Sequence, residues 1–186
     1  MLDDARGEEM AQRILKAREE ADSVGGVTET VICGTPAGVG EPWFDSVESV
    51  ISHAAFSLGG VKGIEFGAGF AVADMKGSEC NDPLRVSGGR IVTTTNNNGG
   101  INGGITNGMP IVFRCAVKPT PSIAQQQDTV DFIKNENTQL SIHGRHDPAI
   151  IRRICPVLDS VAALCVADML SLRYGTDVLT KGVDDK

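Results

Sequence analysis

Aromatic side chains are scarce: the chain holds six Phe, one Trp and one Tyr among 186 residues. Its core must therefore rest on Val, Ile, Leu and Ala. Basic residues are outnumbered, 17 Lys and Arg against 24 Asp and Glu, for a formal charge of −7. That balance argues against nucleic acid or an anionic membrane as partner. No uninterrupted apolar run reaches the ~18 residues of a membrane span. The best stretch, Val161 to Leu170, is broken by Asp168. The first residues are acidic and no apolar stretch follows them, so no secretory signal is expected. The five cysteines, at 33, 80, 115, 155 and 165, form no C-x-x-C pair. Their odd number points to a reduced, cytoplasmic setting rather than a disulfide framework, and no metal site is expected.

With 41% apolar and 22% charged residues, the chain suits one soluble domain spanning 1–186. Residues 4–21 read as a helix with Met10, Ala11, Ile14, Leu15 and Ala21 on one stripe, opening without a cap signal. Asp22 to Gly26 is a glycine turn, and Val27 to Cys33 is β-branched and strand-like. Gly34 to Pro42 is a loop. Phe44, Val47, Ile51, Ala54, Ala55 and Leu58 recur at helical spacing over 45–58, and Gly59-Gly60 stops that helix. Val61 to Phe66 and Phe70 to Asp74 read as strands, and 77–90 as an exposed loop. Pro110 to Val117 reads as a buried strand, with shorter strand-like pieces near Val130 and Leu140. Asp147 is expected to cap a long last helix with Pro148 as its first residue and a kink at Pro156. The tail, 174–186, is polar. The pattern is α+β.

Three segments carry candidate chemistry. Residues 93–108 are rich in Asn and Gly, with Gly99, Gly100, Gly103, Gly104 and Gly108. Exposed N–H groups there can form an anion nest, or the segment is a flexible surface loop. It lacks the strand-before, helix-after context of a dinucleotide fingerprint. Lys118-Pro119-Thr120-Pro121-Ser122 follows a strand directly, so one cation and two hydroxyls can meet a phosphate; a plain Pro-rich turn is the alternative. Gly144-Arg145-His146-Asp147-Pro148 brings a guanidinium, an imidazole and a carboxylate to a helix start. The plain alternative is that Asp147 caps and Arg145 pairs with it. No G-x-S-x-G elbow accompanies the His-Asp pair. Asp82, Asp128 and Asp131 read as solvated loop charges.

In order along the chain, these segments resemble the chorismate synthase family. The resemblance rests on Asp22-Ser23-Val24-Gly25-Gly26, Pro36 to Asp45, Val61-Lys62-Gly63-Ile64-Glu65 with Gly67-x-Gly69-Phe70, and Gly77-Ser78-Glu79-x-Asn81-Asp82. The Asn/Gly segment, Lys118 to Ile123 and Gly144 to Pro148 complete it, so it spans residues 8–173. The family's Gly-Glu-Ser-His-Gly and Gly-Arg-Ser-Ser-Ala-Arg-Glu-Thr motifs are absent. The chain therefore resembles the C-terminal half of such an enzyme, or a subunit needing a separate N-terminal chain.

The resemblance implies a β-α-β sandwich, with helices packed between antiparallel sheets, assembled as a homotetramer. It implies a lyase of the shikimate pathway, in aromatic amino acid biosynthesis. That flavoprotein uses reduced FMN, with NADPH a candidate reductant, to eliminate phosphate from 5-enolpyruvylshikimate 3-phosphate in an anti-1,4 sense, giving chorismate. Flavin contacts would fall on Gly59, Gly60, Gly103, Lys118, Pro119, Thr120, Pro121, Ser122 and Arg145. Asp147 would be the catalytic carboxylate near the flavin. Asp22 and Ser23 belong to a family motif without an assigned role. Because the missing motifs carry the acid histidines and most substrate-binding arginines, the chain alone is expected to be inactive. The competing reading is a non-catalytic module that binds a flavin or phosphate and assembles.

Overall fold

The computed structural model describes residues 3–182. Its elements in order are α1 (Asp4–Glu19), β1 (Gly26–Ile32), α2 (Val47–Phe56), β2 (Val61–Phe66), α3 (Gly77–Cys80), β3 (Leu84–Ser87) and β4 (Arg90–Thr93). They continue with β5 (Ile101–Asn102), β6 (Ile105–Thr106), β7 (Ile111–Val117), β8 (Gln127–Asp131), β9 (Glu136–Leu140), α4 (Ile151–Tyr174) and α5 (Val178–Lys181). The α+β reading holds.

β7 is the organising strand. Ile111, Phe113, Cys115 and Val117 alternate inward and are all buried, the period of a strand with one covered face. It pairs antiparallel with β1 on one side, from Gly26–Val117 to Ile32–Ile111, and with β2 on the other, from Val61–Val117 to Phe66–Phe113. α2 and α4 pack on the inner face and on each other. α2 contributes Val47, Ile51 and Ala55; α4 contributes Ile154, Leu158, Ala162, Cys165 and Met169. Burying each of the larger side chains stabilises the fold by about 1.5–3 kcal/mol. Burial also pushes the Cys115 thiol up to about 11. The five cysteines are all free thiols.

The outer face of the same sheet is open. Val27 and Val31 are 64% and 51% exposed. Between them the register aligns Glu29, Arg114 and Glu65 in one row, with Arg114 Nη2 on Glu65 Oε1 at 2.9 Å. Among the described residues this is the one sheet of more than two strands; the others are hairpins.

Several expectations change. Residues 70–74 are not a strand but part of a 3-10 turn, Gly69–Asp74. Gly69 has φ +59, Glu65 Oε2 accepts from the Phe70 N–H, and Phe70 is left exposed, so the apolar pattern has nothing to pack on. Within 77–90, read as a loop, α3 forms and β3 pairs with β4 through Gly88 and Gly89, both at positive φ. That is the two-residue hairpin turn that suits strand twist. α1 does have a cap, because Asp3 accepts from the Arg6 N–H at 3.1 Å. Its apolar stripe is half exposed at Met10 and Leu15, and Ala17 is its buried residue.

The last helix begins at Ile151, with Ile150 as its cap position. Asp147 and Pro148 lie in the preceding loop, so Asp147 is not the N-cap. α4 is long and apolar enough to cross a membrane by length and composition alone. The expectation of no span rested on an uninterrupted run, which Asp168 breaks; an averaged window tolerates that one charge. Six of its residues are buried, on the stripe that faces the sheet, as in a core helix. α5 falls within the expected tail, and residues 183–186 of that tail lie outside the described residues.

Candidate functional site

The strand ends Gly26, Val61 and Val117 lie side by side, and the candidate segments gather there. Lys118 leaves β7 with its N–H donating to Gly60 O at 2.9 Å. Gly60 sits at φ +101, and a Cβ there would press on Ile150 Cδ1 at 3.1 Å. A larger residue would push this turn off the start of the last helix. At Gly59 a Cβ would meet open space, so sterics demand no glycine there.

The turn at 22–25 ties the remaining segments together. Ser23 Oγ donates to Thr120 O at 2.6 Å, and the Val24 N–H donates to Pro148 O at 2.8 Å. Asp22 Oδ1 accepts from the Ser23 N–H at 2.7 Å. A Cβ on Gly25 would lie 2.3 Å from Val117 O, so no side chain fits where this turn crosses β7. The motif whose role the sequence leaves blank is therefore a clasp between Lys118–Ser122 and Gly144–Pro148. Thr120 Oγ1 is buried without a hydrogen-bond partner. Neither Lys118 nor Arg145 has a carboxylate within salt-bridge distance among the described residues.

Beside the clasp opens a cleft of about 560 Å³ lined by Arg18, Asp22, Arg145, His146, Asp147 and Arg153, with Ala21, Ile123, Ala124, Gly144 and Pro148. Asp147 is fixed on both oxygens: Oδ1 accepts from the Ala149 N–H at 3.1 Å, and Oδ2 lies 3.0 Å from Arg153 Nε. Its pairing arginine is thus Arg153, not Arg145. His146 Nε2 stands 2.9 Å from Ile142 O; a carbonyl only accepts, so Nε2 carries the proton. Arg18 and Arg153 escaped the sequence reading. Arg18 lies among the alternating charges of α1, where nothing local distinguishes it, and Arg153 gains its role only when the loop folds back.

Gly103 does not join this cluster. It forms the β5–β6 turn with Gly104, at φ +59 and +88. That hairpin docks at the start of α2, where the Val47 N–H donates to Gly104 O at 3.0 Å. The Asn/Gly segment meets β7 at the opposite end, through the Val112 N–H to Gly99 O. The seven residues of β7 set the two ends roughly 20 Å apart. The segment is ordered rather than flexible, with Gly99, Gly100 and Gly104 buried. Asp82, read as a solvated charge, is its clamp. It accepts from Thr95 Oγ1, the Asn97 N–H, the Asn98 N–H and Asn98 Nδ2 at 2.6–2.9 Å. Burial acts to raise its pKa, and these donors outweigh that and hold it below the usual carboxylate value.

Comparison with known proteins agrees with the order of these motifs. The family model described as chorismate synthase matches residues 1–171. A chorismate synthase of Methanosarcina acetivorans is 50% identical over 168 residues, covering 90% of this chain and 46% of that protein. One from Chitinophaga pinensis is 51% identical over 160 residues, 86% of this chain and 48% of that protein. A crystal structure of chorismate synthase superposes with a TM-score of 0.73 at 31% identity, covering 91% of this chain and 44% of that one. The chain spans about half the length of the curated relatives it matches.

Proposed function

This chain belongs to the chorismate synthase family, and on that premise we propose that it carries the flavin-facing part of the enzyme. The reaction is the anti-1,4 elimination of phosphate from 5-enolpyruvylshikimate 3-phosphate to give chorismate, in the cytoplasm, with FMN in its reduced form. The observation that carries this reading is the clasp at Ser23 and Val24, which holds the Lys118–Ser122 and Gly144–Pro148 segments at one end of the sheet.

A phosphate-bearing cofactor fits this end. Lys118 is a cation without a carboxylate partner among the described residues, and Thr120 offers a hydroxyl without a partner. Pro119 and Pro121 fix the backbone between them. Lys118, Thr120 and Ser122 would hold the FMN phosphate, with Gly59, Gly60 and Arg145 lining the approach. When bound, reduced FMN would supply electron density to the substrate as phosphate leaves. Asp147 is the proton acceptor. Its carboxylate is aimed by Ala149 and Arg153, and a fixed general base contributes about 10²–10⁴ in rate. Gly103, at the far end of β7, does not join this group within one chain.

The chain by itself does not turn over, because the family motifs with the acid histidines and most substrate-binding arginines are absent from it. It self-associates, in keeping with a family homotetramer. The test is fluorescence titration of FMN into the chain. Saturable quenching that weakens in Lys118→Ala, with unchanged thermal stability, supports the reading; quenching indifferent to Lys118→Ala contradicts it.

A further inference from the structure

We infer that Asn102 is a site of spontaneous covalent modification, at which the chain converts its own side-chain amide into aspartate and isoaspartate. Residues 93–108 hold three Asn-Gly pairs, at 98–99, 102–103 and 107–108. Glycine has no Cβ to hinder the approach of its N–H to the preceding side chain, so each pair has the atoms to close a five-membered succinimide ring. The three are alike in sequence, and the fold tells them apart. At Asn98 the attack is blocked: Nδ2 donates to Asp82 Oδ2 at 2.8 Å, and the Gly99 N–H is spent on Asn96 O at 3.1 Å. At Asn107 both ends of the amide are held, with Oδ1 accepting from the Met109 N–H at 2.9 Å and Nδ2 donating to Asn102 Oδ1 at 2.7 Å.

Asn102 differs from both. It and Gly103 are exposed. Its Nδ2, the leaving group, and the Gly103 N–H, the nucleophile, have no acceptor among the described residues. The donor from Asn107 sits on Oδ1, where charge collects as the nitrogen adds. Reaching Cγ requires the β5–β6 turn to open, and these strands are two residues each, so a local opening sacrifices little. The Gly103 nitrogen gives up its proton and bonds to Asn102 Cγ. The Cγ–Nδ2 bond breaks, and ammonia leaves with that proton. Water then opens the ring at either carbonyl. Either product places a carboxylate within 83–127, a stretch without Asp or Glu. Isoaspartate also adds a main-chain carbon to a turn whose Gly104 O accepts from the Val47 N–H at 3.0 Å. Modification therefore loosens the seat of α2. None of this depends on the flavin reading.

The test is timed incubation of the full chain in neutral and mildly alkaline buffer, followed by digestion and peptide mass spectrometry. The peptide bearing Asn102 should gain the mass of amide-to-acid exchange and split into aspartyl and isoaspartyl isomers. Its conversion should run at least about tenfold faster than at Asn98 or Asn107, a modest difference in barrier. It should also quicken with pH, because the attacking nitrogen must lose its proton. The same chain unfolded in guanidinium is the control. There the three pairs should react at comparable rates, since only the fold distinguishes them. Asn102→Gln keeps an exposed amide but needs a larger ring, so conversion at this position should fall sharply while thermal stability stays near the parent. Folded chain that converts Asn98 or Asn107 as fast as Asn102, or that leaves Asn102 intact while the unfolded chain reacts, overturns the inference.

Discussion

Ser23 and Thr120 are 97 residues apart in sequence and joined by a 2.6 Å hydrogen bond from the Ser23 hydroxyl to the Thr120 carbonyl. This bond and the neighbouring Val24–Pro148 contact bring the proline-rich Lys118–Ser122 segment and the Gly144–Pro148 segment, neither of which forms a helix or strand, to one place. A loop held at its carbonyl by a side chain keeps its remaining polar groups free for a ligand.

Ser23→Ala should therefore loosen the Lys118–Ser122 turn without opening the core. Losing one such bond costs about 1 kcal/mol. FMN affinity should fall with it, while Ser23→Thr, which keeps the hydroxyl, should stay near the parent. Urea unfolding and FMN titration on the three proteins measure both effects. Unchanged FMN affinity in Ser23→Ala would remove the clasp from the account.

Ala21 ends α1 in a left-handed conformation that favours glycine. Ala21→Gly should raise unfolding stability by about 0.5–1 kcal/mol, the relieved strain less the added freedom of the unfolded chain. A loss of stability by thermal melting would mean that the Ala21 methyl packs usefully in the cleft.

Asp82 has a depressed pKa in the folded chain. It contributes stability that is present above its unfolded value and is lost as pH falls through the lower folded value. The Asn/Gly segment should loosen first on acidification below about pH 4, the ordinary Asp value. Amide exchange at Asn97 and Asn98 reads this directly. Asp82→Asn should cost about 1–2 kcal/mol at neutral pH, discounted for partial solvation, and should remove the acid sensitivity of these two amides. Identical acid profiles in the two proteins would contradict the clamp.

Val27 and Val31 on the outer sheet face, and Leu164 and Leu172 on α4, are at least half exposed. Apolar surface of that extent favours association, so light scattering at tens of micromolar should find an oligomer. A clean monomer there would contradict self-association.

Strand β7, helix α2 and the buried stripe of α4 were legible because each repeats apolar residues at its own period. The three chemical segments were legible as well, since unusual clusters of Gly, Pro, Lys and Arg need no tertiary context to stand out. The clasp was not legible: a Ser hydroxyl and a carbonyl 97 residues away leave no local pattern. Nor was the start of α4, where Asp147 has every mark of a cap but spends its carboxylate on Ala149 and Arg153. Phe70 misled through alternation without burial. The split of Gly103 from the other flavin candidates follows from which end of β7 each segment meets, a property of register that composition does not carry.

The proposed role of this chain is the flavin-facing part of chorismate synthase, with Asp147 as its proton acceptor. It is tested most directly by chorismate formation from the chain joined behind the first half of the Methanosarcina acetivorans relative, with reduced FMN. The account predicts turnover by the joined protein and none by the chain alone. In the joined protein, Asp147→Asn should lower turnover at least about tenfold, a modest loss for a general base. Its thermal stability and FMN binding should stay near normal, since Asn Oδ1 can still accept from the Ala149 N–H and the Arg153 pair that is lost is largely solvent-exposed, worth at most about 1 kcal/mol. Chorismate formed by the chain alone, or full turnover in Asp147→Asn, would contradict the account.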